Sequence, residues 1–383
     1  MIIKNGIIND AINKELYIAD ILIADGKIKD IGKNIVATDK ETEIDASGKM
    51  VCPGFVDAHC HIGIYDRAGQ GRNTSDHNEP NDPVSPQLRA IDAIDPFDSN
   101  FESARKAGVT TVCTGPGSMN AIGGTFIAMK TVGACVDDMA IKKEVAMKCA
   151  FGENIKFNHA NKSISSRMTI ASVIRDILSK AKRYMLAIDA ANGDVTKYPA
   201  FDAKLDALLP VMRGEMPLKA HVHQANDIFT AIRIAEEFGV KLTLEHVTEG
   251  HLIVDKLIES GYPMAVGPTM TNGAKYELRN KSWETAVALS KAGGHVCLIT
   301  DSPVIPQENL SLCAGFAVKA GMDPFEALRA ITLYAAEHIG AEERVGTLEV
   351  GKDADIVICD GNPFELATKI EKVLIDGKIV VEN

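Results

Sequence analysis

Apolar and polar positions alternate with two different textures along this chain. At both ends the texture is short, strand-like and punctuated by turns. Residues 2–8 carry an Asn5-Gly6 pair and residues 21–28 an Asp25-Gly26 pair; near the other end, 355–361 closes on Asp360-Gly361 and 373–381 contains Asp376-Gly377. Asn-Gly and Asp-Gly tolerate the positive φ that tight hairpins demand, so each predicts a turn between strands. Neither end alone has residues enough to bury a core. Together, 1–52 and 345–383 predict one small β-sandwich domain assembled from both chain ends.

Between them, 53–344 alternates apolar runs with amphipathic stretches. The runs at 51–59, 110–115, 146–151, 185–189, 218–221, 241–246, 263–267 and 295–300 predict strands. Helical spacing marks 170–182, 228–238 behind a possible cap at Asp227, and 252–260 ahead of Gly261. Eight strands alternating with helices predict a parallel sheet, and eight is the number that closes a β/α barrel. Periodicity alone permits an open doubly wound sheet as well. Segment 65–96, polar and stiffened by Pro80, Pro83, Pro86 and Pro96, follows the first strand and reads as an active-site lid, or else a surface loop.

Composition narrows the function classes. The chain has 383 residues, 46% of them hydrophobic and 24% charged, as a globular protein has. No window approaches the roughly 18 apolar residues of a membrane span, and residues 1–6 lack the features of a signal peptide. A formal net charge of −11 argues against nucleic acid as a partner. Eight cysteines without a CxxC pair read as buried thiols in a reducing compartment, the cytoplasm.

Histidines then change the picture. His59 and His61 close the first strand of the central region and, two apart, face the same side. Two neutral imidazoles converging from one strand end can grip a divalent cation. In Leu218-Lys219-Ala220-His221-Val222-His223, Lys219, His221 and His223 share the face opposite the apolar one. His246 ends the next strand, and Asp301 ends the last, just before Ser302-Pro303. Each alone has a bland explanation, since a strand-end aspartate is often a cap. Together they gather at the end of a barrel where function sits. The glycine-rich stretch 115–124 lacks a phosphate-loop pattern and reads as a tight loop admitting backbone to the site. Lys275 and Arg279, after the seventh strand, are candidates to orient an anionic substrate or are solvated helix-entry charges; His251 is equally a cap.

The order His59-x-His61, His221, His246, Asp301, with Ile2-Ile3-Lys4-Asn5-Gly6 at one end and 348–355 at the other, resembles the amidohydrolase superfamily, including imidazolonepropionase-like members of unassigned substrate. The resemblance implies a (β/α)8 TIM-like barrel with one or two divalent metals per chain, zinc above all. It implies His59, His61, His221, His246 and Asp301 as ligands, with His223 left to face substrate or simply to fill a polar pocket. Many members add a carbamylated lysine on the fourth strand, but 185–189 contains none; others, the N-acetylglucosamine-6-phosphate deacetylases, place a glutamate after the third strand, where Glu153 stands and is the expected further ligand, with Lys148 as its competitor. The implied reaction is hydrolysis of a C–N bond in a small amide, cyclic amide, N-acyl compound or dipeptide, with Asp301 as general base and then general acid. A deaminase of an amidine-containing heterocycle and a non-catalytic metal-binding barrel are the competing readings. A small molecule is the expected partner, with a homo-oligomer permitted.

Overall fold

The structure is a computed structural model that describes residues 1–36, 42–65, 75–162 and 164–383. Both chain ends meet in one eight-stranded sheet. Its order runs Lys378–Glu382, Ile370–Ile375, Ile356–Cys359, Met50–Pro53, Ile2–Ile8, Tyr17–Ala24, Lys27–Gly32, with Glu43–Asp45 added on Ile2–Ile8. The pairing is therefore that of a single continuous sheet, where the sequence suggested a sandwich. Its buried face, including Ile3, Ile21, Ile28, Val51, Ile356 and Leu374, forms a core separate from that of the barrel-like region. Two of the four expected turns are present: Asp25-Gly26 and Asp376-Gly377 both have positive φ at both residues and join adjacent antiparallel strands. Asn5-Gly6 instead lies inside the first strand, where Asn5 at φ 57° makes a register shift. Asp360-Gly361 opens a longer connection, because the pairing strand starts only at Ile370.

The central region is a TIM-barrel-like α/β fold. Seven strands run parallel: Phe55–Cys60 with Val109–Thr114, and then Met147–Ala150, Leu218–Val222, Leu242–His246, Met264–Val266 and Val296–Leu298. Between these two groups lies a segment the sequence reading missed. It is split at Phe126 into Ile122–Thr125, antiparallel to Met147–Ala150, and Ile127–Lys130, antiparallel to Val109–Thr114. Gly123 and Gly124 hide its β character, since glycine is a poor strand former. Counting this split segment, Lys148 stands on the fourth stave. No ladder joins Val296–Leu298 to Phe55–Cys60; instead Asp301 N donates to His59 O (3.1 Å) and His61 N to Ser302 O (2.7 Å).

The run at 185–189, expected as a strand, is the last turn and a half of the helix Arg167–Ala190. Ile170, Ile174, Ile177, Leu178, Ala181 and Tyr184 bury one face at three- and four-residue intervals, and Ser166 caps the start by accepting from Thr169 N. That periodicity carries through to 190, leaving Leu186 exposed. The absence of lysine from 185–189 consequently says nothing about the barrel. The helix Ala225–Phe238 begins behind Gln224, not Asp227, which is buried and paired with Arg167 at 2.9 Å. All eight cysteines are free and all but Cys135 are buried. Among the described residues no helix is long and apolar enough to cross a membrane.

Candidate metal centre

His59 and His61 arrive from one strand end with both rings oriented by their Nδ1 atoms. His59 Nδ1 lies 2.8 Å from Glu245 Oε2, and His61 Nδ1 lies 2.7 Å from the Gly115 carbonyl oxygen. A carbonyl or carboxylate can only accept, so each Nδ1 carries the proton and each Nε2 presents its lone pair. Those lone pairs face Asp301, whose Oδ1 is 3.2 Å from His61 Nε2 and 3.7 Å from His59 Nε2. Asp57 ties the two ends together. Its Oδ1 accepts from His59 N (3.1 Å), while Oδ2 accepts from Thr300 N (3.2 Å), the Thr300 hydroxyl and Gln307 Nε2 (2.7 Å).

Strict alternation would send His246 to the face opposite Glu245. Backbone geometry overrules it: His246 and Val247 take φ of 74° and 43°, and Asp301 takes 54°. Left-handed conformations in non-glycine residues cost about 1–3 kcal/mol each and cluster at functional sites. Here they bend two strand ends so that the side chains meet. His221, His223 and His246 offer ligand atoms within 4.8 Å of one another, and so do His59, His246 and Asp301. His246 belongs to both groups.

The chemistry of this cluster fits a cation site. Nε2 of His221 and Nε2 of His246 are buried with no hydrogen-bond partner among the described residues. Leaving a buried polar atom unmatched is costly, about 1–3 kcal/mol. A divalent metal would satisfy both. Burial, reinforced by neighbouring cations and rings, pushes His59, His221 and His223 well below the usual imidazole range and His246 down to about 4. These four rings are thereby shifted toward the neutral form that ligands need. Burial works against the charge on Asp301, yet His246, His61 and His59 hold its carboxyl well below the usual carboxylate range.

The two contenders for the remaining ligand position differ in placement. Lys148 is wholly buried on its strand, with Nζ 3.1 Å from His59 Nε2, and it lines the cavity over the cluster. Burial lowers its pKa to about 8, against the attraction of Asp301 and Glu245. Glu153 begins the helix Glu153–Asn158 beyond the strand; its backbone N–H donates to Glu277 Oε2 (2.9 Å), and it does not line the cavity.

That cavity encloses about 410 Å3 and is walled by His61, Tyr65, His77, Lys148, His223, Lys275 and Asp301 among others. His223 turns Nδ1 to the Thr248 hydroxyl at 2.7 Å. Lys275 reaches the wall but is paired with buried Glu277 (2.6 Å) and bonded to Asn154 Oδ1 (3.0 Å). Arg279 is not brought to the cavity: it pairs with Glu249 at 3.0 Å and lies over the Tyr276 ring. His251 bonds Thr285 instead. Of the expected lid, 66–74 lies outside the described residues. Farther along it, Val84 and Arg89 bridge to Ile122 and Thr125 of the split stave. Sequence reasoning also missed His77, stacked on Tyr65 at 4.4 Å, and Glu277, 3.7 Å from His223 Nε2. Neither follows a strand-end pattern, so only tertiary structure reveals them.

Comparison with known proteins gives a family and several similar chains. The model of the amidohydrolase family matches residues 50–380. An amidohydrolase from Thermotoga maritima MSB8 has a solved structure that superposes over 100% of both chains at 38% identity, with a TM-score of 0.96. An imidazolonepropionase of Caldanaerobacter subterraneus subsp. tengcongensis is 28% identical over 91% of this chain and 85% of its own. Amidohydrolase tasK of Hapsidospora irregularis is 26% identical over 94% of this chain, which spans only 40% of that relative's length.

Proposed function

The chain belongs to the amidohydrolase family, and on that premise we propose that it hydrolyses a C–N bond of a small amide, cyclic amide, N-acyl compound or dipeptide with the help of one or two bound divalent metals, zinc first among them. The observation that carries the reading is the meeting of His59, His61, His221, His246 and Asp301, with two buried Nε2 atoms that lack any protein partner. A cation held there supplies a water acidified toward neutrality and a Lewis acid for the scissile carbonyl.

The chain's own residues do the rest. Asp301, kept ionised by the imidazoles around it, takes the water's proton as attack begins and returns it to the departing nitrogen. His59 and His61 would hold the cation from one side, and His221 and His246 from the other. We assign the further ligand position to Lys148, in place of the glutamate the sequence suggested. Its amine, neutral more readily than an exposed lysine, would add carbon dioxide: an N–C bond forms, one N–H proton leaves, and a carboxylate results. That reaction also removes a buried ammonium from among the site's groups. His223 faces the cavity as a substrate contact, and Lys275 stands at its rim. A cavity of about 410 Å3 suits a small molecule. Eight free thiols suit a cytoplasmic enzyme.

The test is a screen of N-acyl amino acids, dipeptides, lactams and the substrate of imidazolonepropionase, before and after chelation. Amine and acid products that vanish with the metal support the reading. Ammonia as the sole product points to the deaminase alternative.

A further inference from the structure

Four oriented imidazoles surround the candidate metal centre, and three of them have neutral partners. His61 and His246 donate to the carbonyl oxygens of Gly115 and Gly267, each at 2.7 Å, and His223 shares a hydrogen bond with the Thr248 hydroxyl, which can donate or accept. His59 differs. Its Nδ1 meets a wholly buried carboxylate, Glu245 Oε2, at 2.8 Å.

Glu245 is itself held on every side. Oε2 also meets Lys219 Nζ at 2.9 Å; Oε1 accepts from Thr243 Oγ1 at 2.8 Å and His338 Nε2 at 2.7 Å. Lys219 Nζ donates in turn to the carbonyl of Ala58, the residue before His59, at 3.0 Å. A lone buried carboxylate would be strongly unfavourable, and Lys219 is the compensating charge. His338 comes from the helix Leu333–Ile339 and lines a second cavity, of about 260 Å3, with Met264, Gly294, His295 and Tyr334. Met264 opens its strand and His295 precedes Val296, so this cavity lies at the opposite ends of the strands from His246 and Asp301. A bonded series thus runs from the barrel floor to a ring in its mouth.

A carboxylate on Nδ1 fixes an imidazole's rotation and tautomer and leaves Nε2 as the lone pair aimed at the site; such partners raise ligand basicity. We infer that Glu245 is a positioning residue that holds His59 in its Nδ1-protonated form, and that Lys219 and His338 hold Glu245 for that task. The inference rests on the metal reading of the cluster. It concerns the chain's residues beneath the centre, where no catalytic group lies.

The experiment has two readouts. Nitrogen-15 spectra of the histidine rings in metal-free protein, with His59 assigned through its loss in His59→Asn, report the tautomer directly. Zinc affinity by competition with a chelator reports the consequence. Wild type should show His59 protonated at Nδ1. Glu245→Leu, which removes the acceptor, should lose that signature and bind zinc about 10–100-fold more weakly, with kcat reduced more than KM is changed. His338→Phe, remote from the mouth, should shift both in the same direction by less. Because Glu245→Leu strands a buried lysine, Glu245→Leu/Lys219→Met is measured beside it. His59 protonated at Nε2 in wild type overturns the inference, whatever the variants do. So does a folded variant of Glu245 with unchanged zinc affinity and tautomer. Wild-type protein that binds no zinc, yet shows Nδ1-protonated His59, removes the metal reading and leaves the positioning contact standing.

Discussion

Two His-x-His pairs end two strands of this barrel-like fold, and they meet opposite circumstances. His59 and His61 face the carboxylate of Asp301 at 3.7 and 3.2 Å. His221 leaves Nε2 without a hydrogen-bond partner among the described residues, Glu277 lying 4.0 Å away. Glu277 also lies 3.7 Å from His223 Nε2, but it is already paired with Lys275 at 2.6 Å, whereas Asp301 lies among the imidazoles. On the proposed reading one motif would supply ligands in two settings, one beside Asp301 and one beside the cavity. What surrounds each pair, and not its spacing, assigns its work.

Asp301 is where substitution should cost the most. Asp301→Asn keeps the shape and removes the base, so turnover should fall by at least about a hundredfold while the fold and much of the metal remain. Turnover, metal content and melting temperature on one preparation check this. A metal-loaded variant of near-parental activity would move the base elsewhere. Next in size is the Lys148 assignment. Lys148→Met should lose bound metal and cut activity about tenfold or more, on the scale by which supporting ligands act, whereas Glu153→Ala should leave metal content unchanged. The reverse pattern by elemental analysis would restore Glu153. His223→Asn, on the second pair, should keep its metal and lose less, about tenfold at most in kcat/KM, about 1.4 kcal/mol of transition-state stabilisation; an emptied site would make His223 a ligand.

The smallest effect is one of pH. Burial depresses His246 to about 4 and His77 to about 3, against about 6.5 in the unfolded chain. Between those values the unfolded state binds more protons, so stability rises with pH there and is lost as pH falls. Metal-free protein should melt progressively lower from about pH 6.5 downward, and bound metal should oppose the loss by competing with protons. A flat profile of melting temperature would mean these rings protonate in the folded state.

Much of this arrangement was legible before any coordinates, because strand alternation is a strong constraint. It put His59 with His61 and His221 with His223, and Ser302-Pro303 marked the end of the last strand. What escaped was whatever depends on counting staves or on contacts far apart in sequence. Met185-Leu186-Ala187-Ile188-Asp189 is a short apolar run that fits strand or helix equally, and only the periodicity reaching back to Ile170 decides it. Gly123 and Gly124 disguised the split stave. Those two errors moved Lys148 off the fourth stave and made Glu153 attractive. No pattern in the sequence singles out Glu245; its bond to His59, 186 positions away, is a product of folding alone.

Whether the histidine–aspartate cluster is a working metal site is read most directly by elemental analysis of the purified chain together with activity on its best amide substrate, before chelation, after it, and after zinc is returned. About one or two metal equivalents per chain are expected, from the number of ligands available, with activity abolished by chelation and recovered in step with zinc. Full activity from metal-free protein would contradict the metal reading.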